Sequence, residues 1–209
     1  MPTAVSAPAA PPRELRRASW RRAPFAALDF ETTGLDRGRD AVVAFGVVPV
    51  DGARVRYGEG LERYVAAPVP SSSRAIGVHH ILPRDLLGAP TMEEARGTLA
   101  ALLHGRFLIT WFADVEVAFL ARIFDTSERR WRRRTVDVRR MALALEGERR
   151  PGVRYSLSAV AERYGVPVAR PHEALEDALV TAQLFLVLAA RLEARGRGSV
   201  RALLRLTRG

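Results

Sequence analysis

Two carboxylates, Asp29 and Glu31, stand two residues apart at the end of an apolar run. On a β-strand both would project from one face, because side chains alternate with a period of two. Carboxylates held that close repel unless a cation lies between them. Far downstream, His172 precedes Asp177 by five residues. An Asp brought in from there would be a third oxygen ligand, and the His a proton acceptor suited to neutral pH. Hard oxygen ligands suit magnesium. Together these residue types could support phosphodiester cleavage, in which two ions about 3.5–4 Å apart neutralise charge on the attacking and leaving oxygens.

The elements that must position these groups follow from periodicity and turn chemistry. Three strands are expected over Pro24–Asp29, Ala41–Val50 and Arg54–Val65, with turns at Asp36–Asp40 and Asp51-Gly52. Short turns between consecutive strands imply an antiparallel three-strand meander. Thr91 with Glu94 forms a capping box opening a helix to about His104. Arg106–Thr110 reads as a buried strand, Asp114–Phe124 as a helix, Thr135–Val138 as a short strand and Arg139–Leu145 as helical. Ser156–Tyr164 fits a helix ended by Gly165, and Glu173 to about Ala194 a long amphipathic helix. Pro171 puts His172 in the loop or cap entering that helix, with Asp177 in its second turn. The expected architecture is α/β, a mixed five-stranded sheet of meander plus parallel strands, flanked by helices.

The 209 residues suit one domain with tails. Residues 1–22 read as a disordered basic arm, 23–195 as the catalytic domain and 196–209 as an Arg-rich tail, in which Val200–Leu206 could add a turn or two of helix. Cysteine is absent, which excludes thiolate catalysis, disulfides and Cys-ligated zinc. No apolar run approaches the roughly 20 residues of a membrane span, and Met1–Pro12 lacks the pattern of a signal peptide. A cytoplasmic protein without a membrane partner is expected. The net charge of +10 favours phosphate partners. All 33 basic residues are Arg, with no Lys and no Asn, so a coding bias accounts for part of that excess. The charge run around Trp131 reads as a solvated loop, with base stacking as its functional alternative.

Asp-x-Glu alone is common; the continuation Thr32-Thr33-Gly34-Leu35 makes it specific. Asp29-Phe30-Glu31-Thr32-Thr33-Gly34-Leu35 resembles the first motif of the DnaQ-like, DEDDh 3′–5′ exonucleases. The run Tyr155-Ser156-Leu157-Ser158-Ala159-Val160-Ala161-Glu162, then Gly165, then His172 through Asp177-Ala178 is similar to their third. Ala75–Ile81 resembles the segment between the third strand and the first helix. The likeness covers about residues 24–192. It implies a ribonuclease H-like fold and two Mg2+ or Mn2+ ions. By it, Asp29 would bridge both ions, Glu31 and Asp177 would complete one site, and His172 would take a proton from the attacking water. The backbone around Phe30, the Thr32 hydroxyl and the Leu35 side chain would meet the terminal nucleotide. The implied substrate is the 3′ end of single-stranded DNA or RNA, DNA being favoured, with nucleoside 5′-monophosphates as products and a DNA polymerase subunit as a suggested partner.

The middle motif departs from the family pattern. Aligning Phe119-Leu120 with the family's Phe-Leu pair puts Glu116 where an Asp is usual, and Trp111-Phe112 where His-Asn is usual. Glu116 is the favoured fourth carboxylate and Asp114 its rival. Asp137 is expected to play a supporting role, and His79 and His80 to pack or line a loop. The alternative to an exonuclease is a nucleic-acid-binding or polymerase-associated module of the same fold with weakened catalysis.

Overall fold

The computed structural model describes residues 5–147 and 155–207. Strand β1, Phe25–Thr32, sits between two apolar layers because both of its faces carry apolar side chains. Phe25 and Ala27 point into one layer, Ala26, Leu28 and Phe30 into the other. Burial on both faces marks a central strand. β2, Val42–Asp51, pairs antiparallel with β1 along its length. β5, Phe107–Thr110, pairs parallel with β1, and β6, Thr135–Asp137, pairs parallel with β5.

The expected third strand is two. β3, Arg54–Val55, and β4, Leu61–Tyr64, both pair with β2, separated by a 3-10 turn at Tyr57–Glu59. Among the described residues the sheet therefore has six strands, ordered β3-β2-β1-β5-β6 with β4 also on β2. Pro49 explains the break. Its carbonyl accepts from Arg56 N–H on the outer side, 2.8 Å away. A strand residue's N–H and C=O point the same way, so proline leaves no donor for the outer strand there.

Short helix α1, Ser73–His79, occupies the segment expected to precede the first helix. α2, Met92–Leu103, is opened by the Thr91–Glu94 capping box. α2, α3 (Ala113–Ile123) and α4 (Glu128–Arg132) cover one face around Leu28, Phe45, Leu99, Leu120 and Trp131. Trp131 is fully buried and packs on Phe124 at 5.4 Å between ring centres. It is neither a loop residue nor a base-stacking one, because its ring fills the core, covered by the buried Arg134, while Arg129, Arg130 and Arg133 turn outward. α5 (Val138–Glu146), α6 (Leu157–Arg163), the long α7 (Ala174–Ala194) and α8 (Val200–Leu206) cover the other face around Phe25, Phe107 and Phe185.

Both termini differ from expectation. Residues 5–22 lie against the body rather than forming a solvated arm; residues 1–4 fall outside the described residues. Trp20 is 2% exposed and meets Phe185 edge-on at 5.8 Å. Its backbone N–H donates to Gly198 O at 3.0 Å, and the Gly105 backbone N–H donates to Ala9 O at 3.0 Å. One large aromatic ring outweighs the surrounding arginines by the area it removes from water. Beyond Gly196, Ser199 caps α8, and Val200, Leu203 and Leu204 are buried. Only Arg208 and Gly209 of the expected tail fall outside the described residues. Among the described residues no helix is long and apolar enough to cross a membrane.

Candidate active site

β1 carries Asp29 and Glu31 toward the face that α7 crosses, following Phe25 and Ala27 in the alternation. A register shift between Glu31 and Thr32 ends the regular ladder just beyond them. Such bulges bend a strand and re-aim its side chains. Asp29 pairs across the ladder with Gly46. A Cβ at Gly46 would lie 2.1 Å from the Ala174 carbonyl oxygen, so the absent side chain lets the start of α7 rest on the sheet. That contact sets Asp177 over the β1 carboxylates.

α7 begins at Ala174, which puts Asp177 in its first turn, one turn earlier than expected. An acid there is favoured by the helix dipole. Asp177 Oδ2 accepts the His172 backbone N–H at 3.2 Å, and His172 Nδ1 lies 4.0 Å from the same oxygen. His172 has φ 68°, the left-handed region that a non-glycine residue adopts at a cost. Arg170 holds the loop before it by pairing with Glu173 at 2.8 Å and Glu176 at 3.1 Å. Tyr57 O–H also donates to Glu176, at 3.3 Å. Glu31, His172 and Asp177 each offer one ligand atom, all within 4.8 Å of one another.

The electrostatics tie in the remaining two acids. Burial, then repulsion from Asp29, Asp177 and Glu62, pushes the Glu31 carboxyl from 4.5 to about 9. Burial and then Asp177 push Asp29 well above the usual carboxylate range. Burial raises Asp177 too, opposed by the His172 N–H and imidazole. Glu116 is raised well above its ordinary value by burial and then by Asp29. Its Oε2 is buried without a hydrogen-bond partner among the described residues. Asp29, Glu31 and Asp177, joined by Glu116 through its repulsion from Asp29 and its orphaned buried oxygen, form a donor set that fits a hard divalent cation.

The rival acid points elsewhere. Asp114 pairs with Arg132, which offsets its burial and lowers its carboxyl. Phe112 cannot cap α3, and Asp137 supplies the acceptor instead. Its Oδ2 takes the Ala113 N–H at 3.1 Å and its Oδ1 the Arg140 N–H at 2.8 Å, so one buried carboxylate fixes the starts of α3 and α5. Phe30 is buried and meets Phe119 at 6.3 Å between ring centres, so its side chain packs in the core. Thr32 O–H donates to Gly34 O at 2.7 Å. Leu35 is 77% exposed at the rim. His79 is buried, its Nδ1 accepting the Ile81 N–H at 3.0 Å, and His80 closes α1 in a left-handed conformation.

Sequence reasoning missed Glu62. It sits on β4 opposite Gly46, accepts the Leu175 N–H at 3.2 Å and repels Glu31. Alternation within the expected third strand placed it on a face, but only the fold shows that this face meets α7.

A six-stranded mixed sheet with carboxylates converging from β1, α3 and α7 is the arrangement of a ribonuclease H-like nuclease. The chain belongs to the exonuclease family, whose pattern matches residues 26–185. It is 31% identical over 172 residues to a PolC-type DNA polymerase III of Thermotoga petrophila, covering 80% of this chain but 12% of that one. Against the DNA polymerase III subunit epsilon of Aquifex aeolicus it is 26% identical, covering 88% of this chain and 90% of that protein. Among solved structures, E. coli Exonuclease I in complex with a dT13 oligonucleotide superposes with a TM-score of 0.71 at 16% identity, over 84% of this chain and 43% of that one. The nuclease domain of 3′hExo, a DEDDh family member bound to rAMP, gives a TM-score of 0.67 at 16% identity, over 87% and 97% of the two chains.

Proposed function

We propose that this chain is a 3′–5′ exonuclease that removes nucleoside 5′-monophosphates from a single-stranded 3′ end, DNA in preference to RNA. The observation that supports the reading is the clustering of Glu31, His172 and Asp177, with ligand atoms within 4.8 Å of one another, beside Asp29, which repels both Glu31 and Glu116. Two Mg2+ or Mn2+ ions would neutralise charge on the scissile phosphate and acidify the attacking water. Asp29, Glu31, Asp177 and Glu116 would hold these ions.

His172 accepts a proton from the water that attacks phosphorus; the bond to the 3′-oxygen of the preceding nucleotide breaks, and that oxygen takes a proton from solvent as it leaves. The half-exposed imidazole can pass its proton to solvent, while Asp177 holds the backbone on which it is carried. The Phe30 backbone and Thr32 hydroxyl hold the terminal sugar, and Leu35 packs on the last base. Relatives named as DNA polymerase III subunits support a polymerase partner and cytoplasmic residence. Single-stranded DNA and RNA oligomers labelled at either end, digested with EDTA, Mg2+ or Mn2+, test the reading. Stepwise shortening of the 5′-labelled strand with metal is expected; shortening from the 5′ end, or equal cleavage in EDTA, would overturn it.

A further inference from the structure

The edge of the sheet at β6 carries a band of arginines that the reaction above does not use. Three segments remote in sequence build it: the 3-10 turn at Arg13–Arg16 with Arg17, helix α4 with Arg133, and helix α8. Arg13, Arg17, Arg201 and Arg205 line a cavity of about 440 Å³. A neighbouring cavity of about 680 Å³ is lined by Arg129, Arg130 and Arg133 and shares Arg13 and Arg16 with the first. Arg13, Arg17, Arg129, Arg133, Arg201 and Arg205 are all exposed. None of these six has a carboxylate within 4.0 Å among the described residues. The acids on these segments are Glu14 and Glu128, and Glu128 is held by Arg132 at 3.0 Å.

We propose that this band is a second nucleic-acid contact, a track for phosphates of the substrate strand away from its reacting end. It rests on the exonuclease reading and adds a determinant of substrate length to it. An Arg-rich composition raises the number of guanidiniums, but it does not gather those from three distant segments onto one edge. Guanidiniums left without carboxylates are the footprint of phosphate binding. An acidic peptide fits less well, since peptide recognition wants buried apolar anchors, and the apolar lining here is limited to Leu204, Ala10 and Pro11. β6 lies two strands from β1, about 10 Å at about 4.8 Å per strand, and its start beside Arg133 is level with Ala26, about 10 Å further back along β1 than Asp29. A dinucleotide in the carboxylate pocket, at about 3.4 Å per stacked nucleotide, ends before the band; a longer strand can reach it.

The test compares the full chain with its R17Q/R201Q/R205Q variant, whose melting temperature should match because the three side chains are exposed. Binding of a single-stranded 30-mer is measured in EDTA across a salt series, and hydrolysis of a dinucleotide with Mn2+. The variant should bind the 30-mer at least tenfold more weakly at low salt. Its log K against log salt slope should be shallower by about 2, at about 0.7 per lost contact. Dinucleotide turnover should be unchanged. Equal 30-mer affinity and slope in the two proteins would overturn the proposal. So would a variant that loses binding to polyglutamate but not to the 30-mer. A wild-type chain that binds the 30-mer through these arginines yet cleaves nothing supports the band and overturns the enzyme.

Discussion

Replacing Glu31 by Gln removes a carboxyl that folding forces to take up a proton, and should stabilise the metal-free protein while destroying its activity. Folding carries the Glu31 carboxyl from 4.5 to about 9. Because the folded-state value is the higher one, the contribution of Glu31 to wild-type stability is greatest below pH 4.5. It falls as pH rises toward 9, at about 1.4 kcal/mol per pH unit. At pH 7 the loss is about 3 kcal/mol. Gln keeps the size and hydrogen-bonding edge of the side chain and has no proton to take up. For a domain of this size about 1 kcal/mol moves the melting temperature by about 2–4 °C, so the variant should melt roughly 6–12 °C higher than wild type at pH 7 in EDTA. At pH 4 the two should coincide. A divalent cation at about a hundred times its Kd would restore about 2.7 kcal/mol to wild type and less to the variant. The assay is thermal denaturation from pH 4 to 8, with EDTA and with Mn2+. Equal melting temperatures at pH 7 in EDTA, or a lower one for the variant, would refute the claim that this cluster is held together against its own charge.

Four further substitutions separate neighbouring roles. Gly46→Ala drives a methyl into the Ala174 carbonyl; overpacking of that kind costs about 1–3 kcal/mol, and displacing Asp177 by even about 1 Å should lower turnover about 100-fold, seen by denaturation and single-turnover kinetics. His172→Ala should leave stability within about 0.5 kcal/mol, since the side chain is half exposed, but lower the cleavage rate about 10²–10⁴-fold; wild-type turnover would remove it from the reaction. Glu116→Gln should abolish most cleavage, whereas Asp114→Asn, which breaks a partly exposed pair with Arg132, should cost at most about 1 kcal/mol of stability and keep its rate; the reverse ranking would reassign the fourth carboxylate.

The order of elements was legible because it depends on local signals: the capping box at Thr91–Glu94, the glycine stop at Gly165, the double-sided burial of β1. The pairing of Asp29 with Glu31 was legible because a period of two fixes it. What local signals do not carry is which long-range partner claims a side chain. Asp114 and Glu116 are both first-turn acids of α3, and only the position of Arg132 on α4 and of Asp29 on β1 separates them. Trp131 lies within an arginine run, and its burial depends on the face of α4 that happens to meet Phe124. The split of the third strand did have a local cause in Pro49, but on the neighbouring strand rather than in the segment that breaks.

The termini show why a catalytic family and a folding unit need not share boundaries. The exonuclease pattern ends at residue 185, yet β6 is then an edge strand of three residues. An edge left open would expose unpaired backbone donors and acceptors. Here Thr207 Oγ1 accepts the Asp137 N–H at 3.0 Å, and Asp137 is the residue that caps α3 and α5. The Trp20 backbone N–H in turn bonds Gly198 O, locking the N-terminal segment over the turn that leads into α8. The residue whose carboxylate fixes the start of α3, and so the arc on which Glu116 is presented, is therefore held through its backbone N–H by the residue that ends α8. Sequence on both sides of the family pattern serves the metal-facing geometry through β6, which explains why basic, proline-containing ends that look dispensable fold onto the sheet.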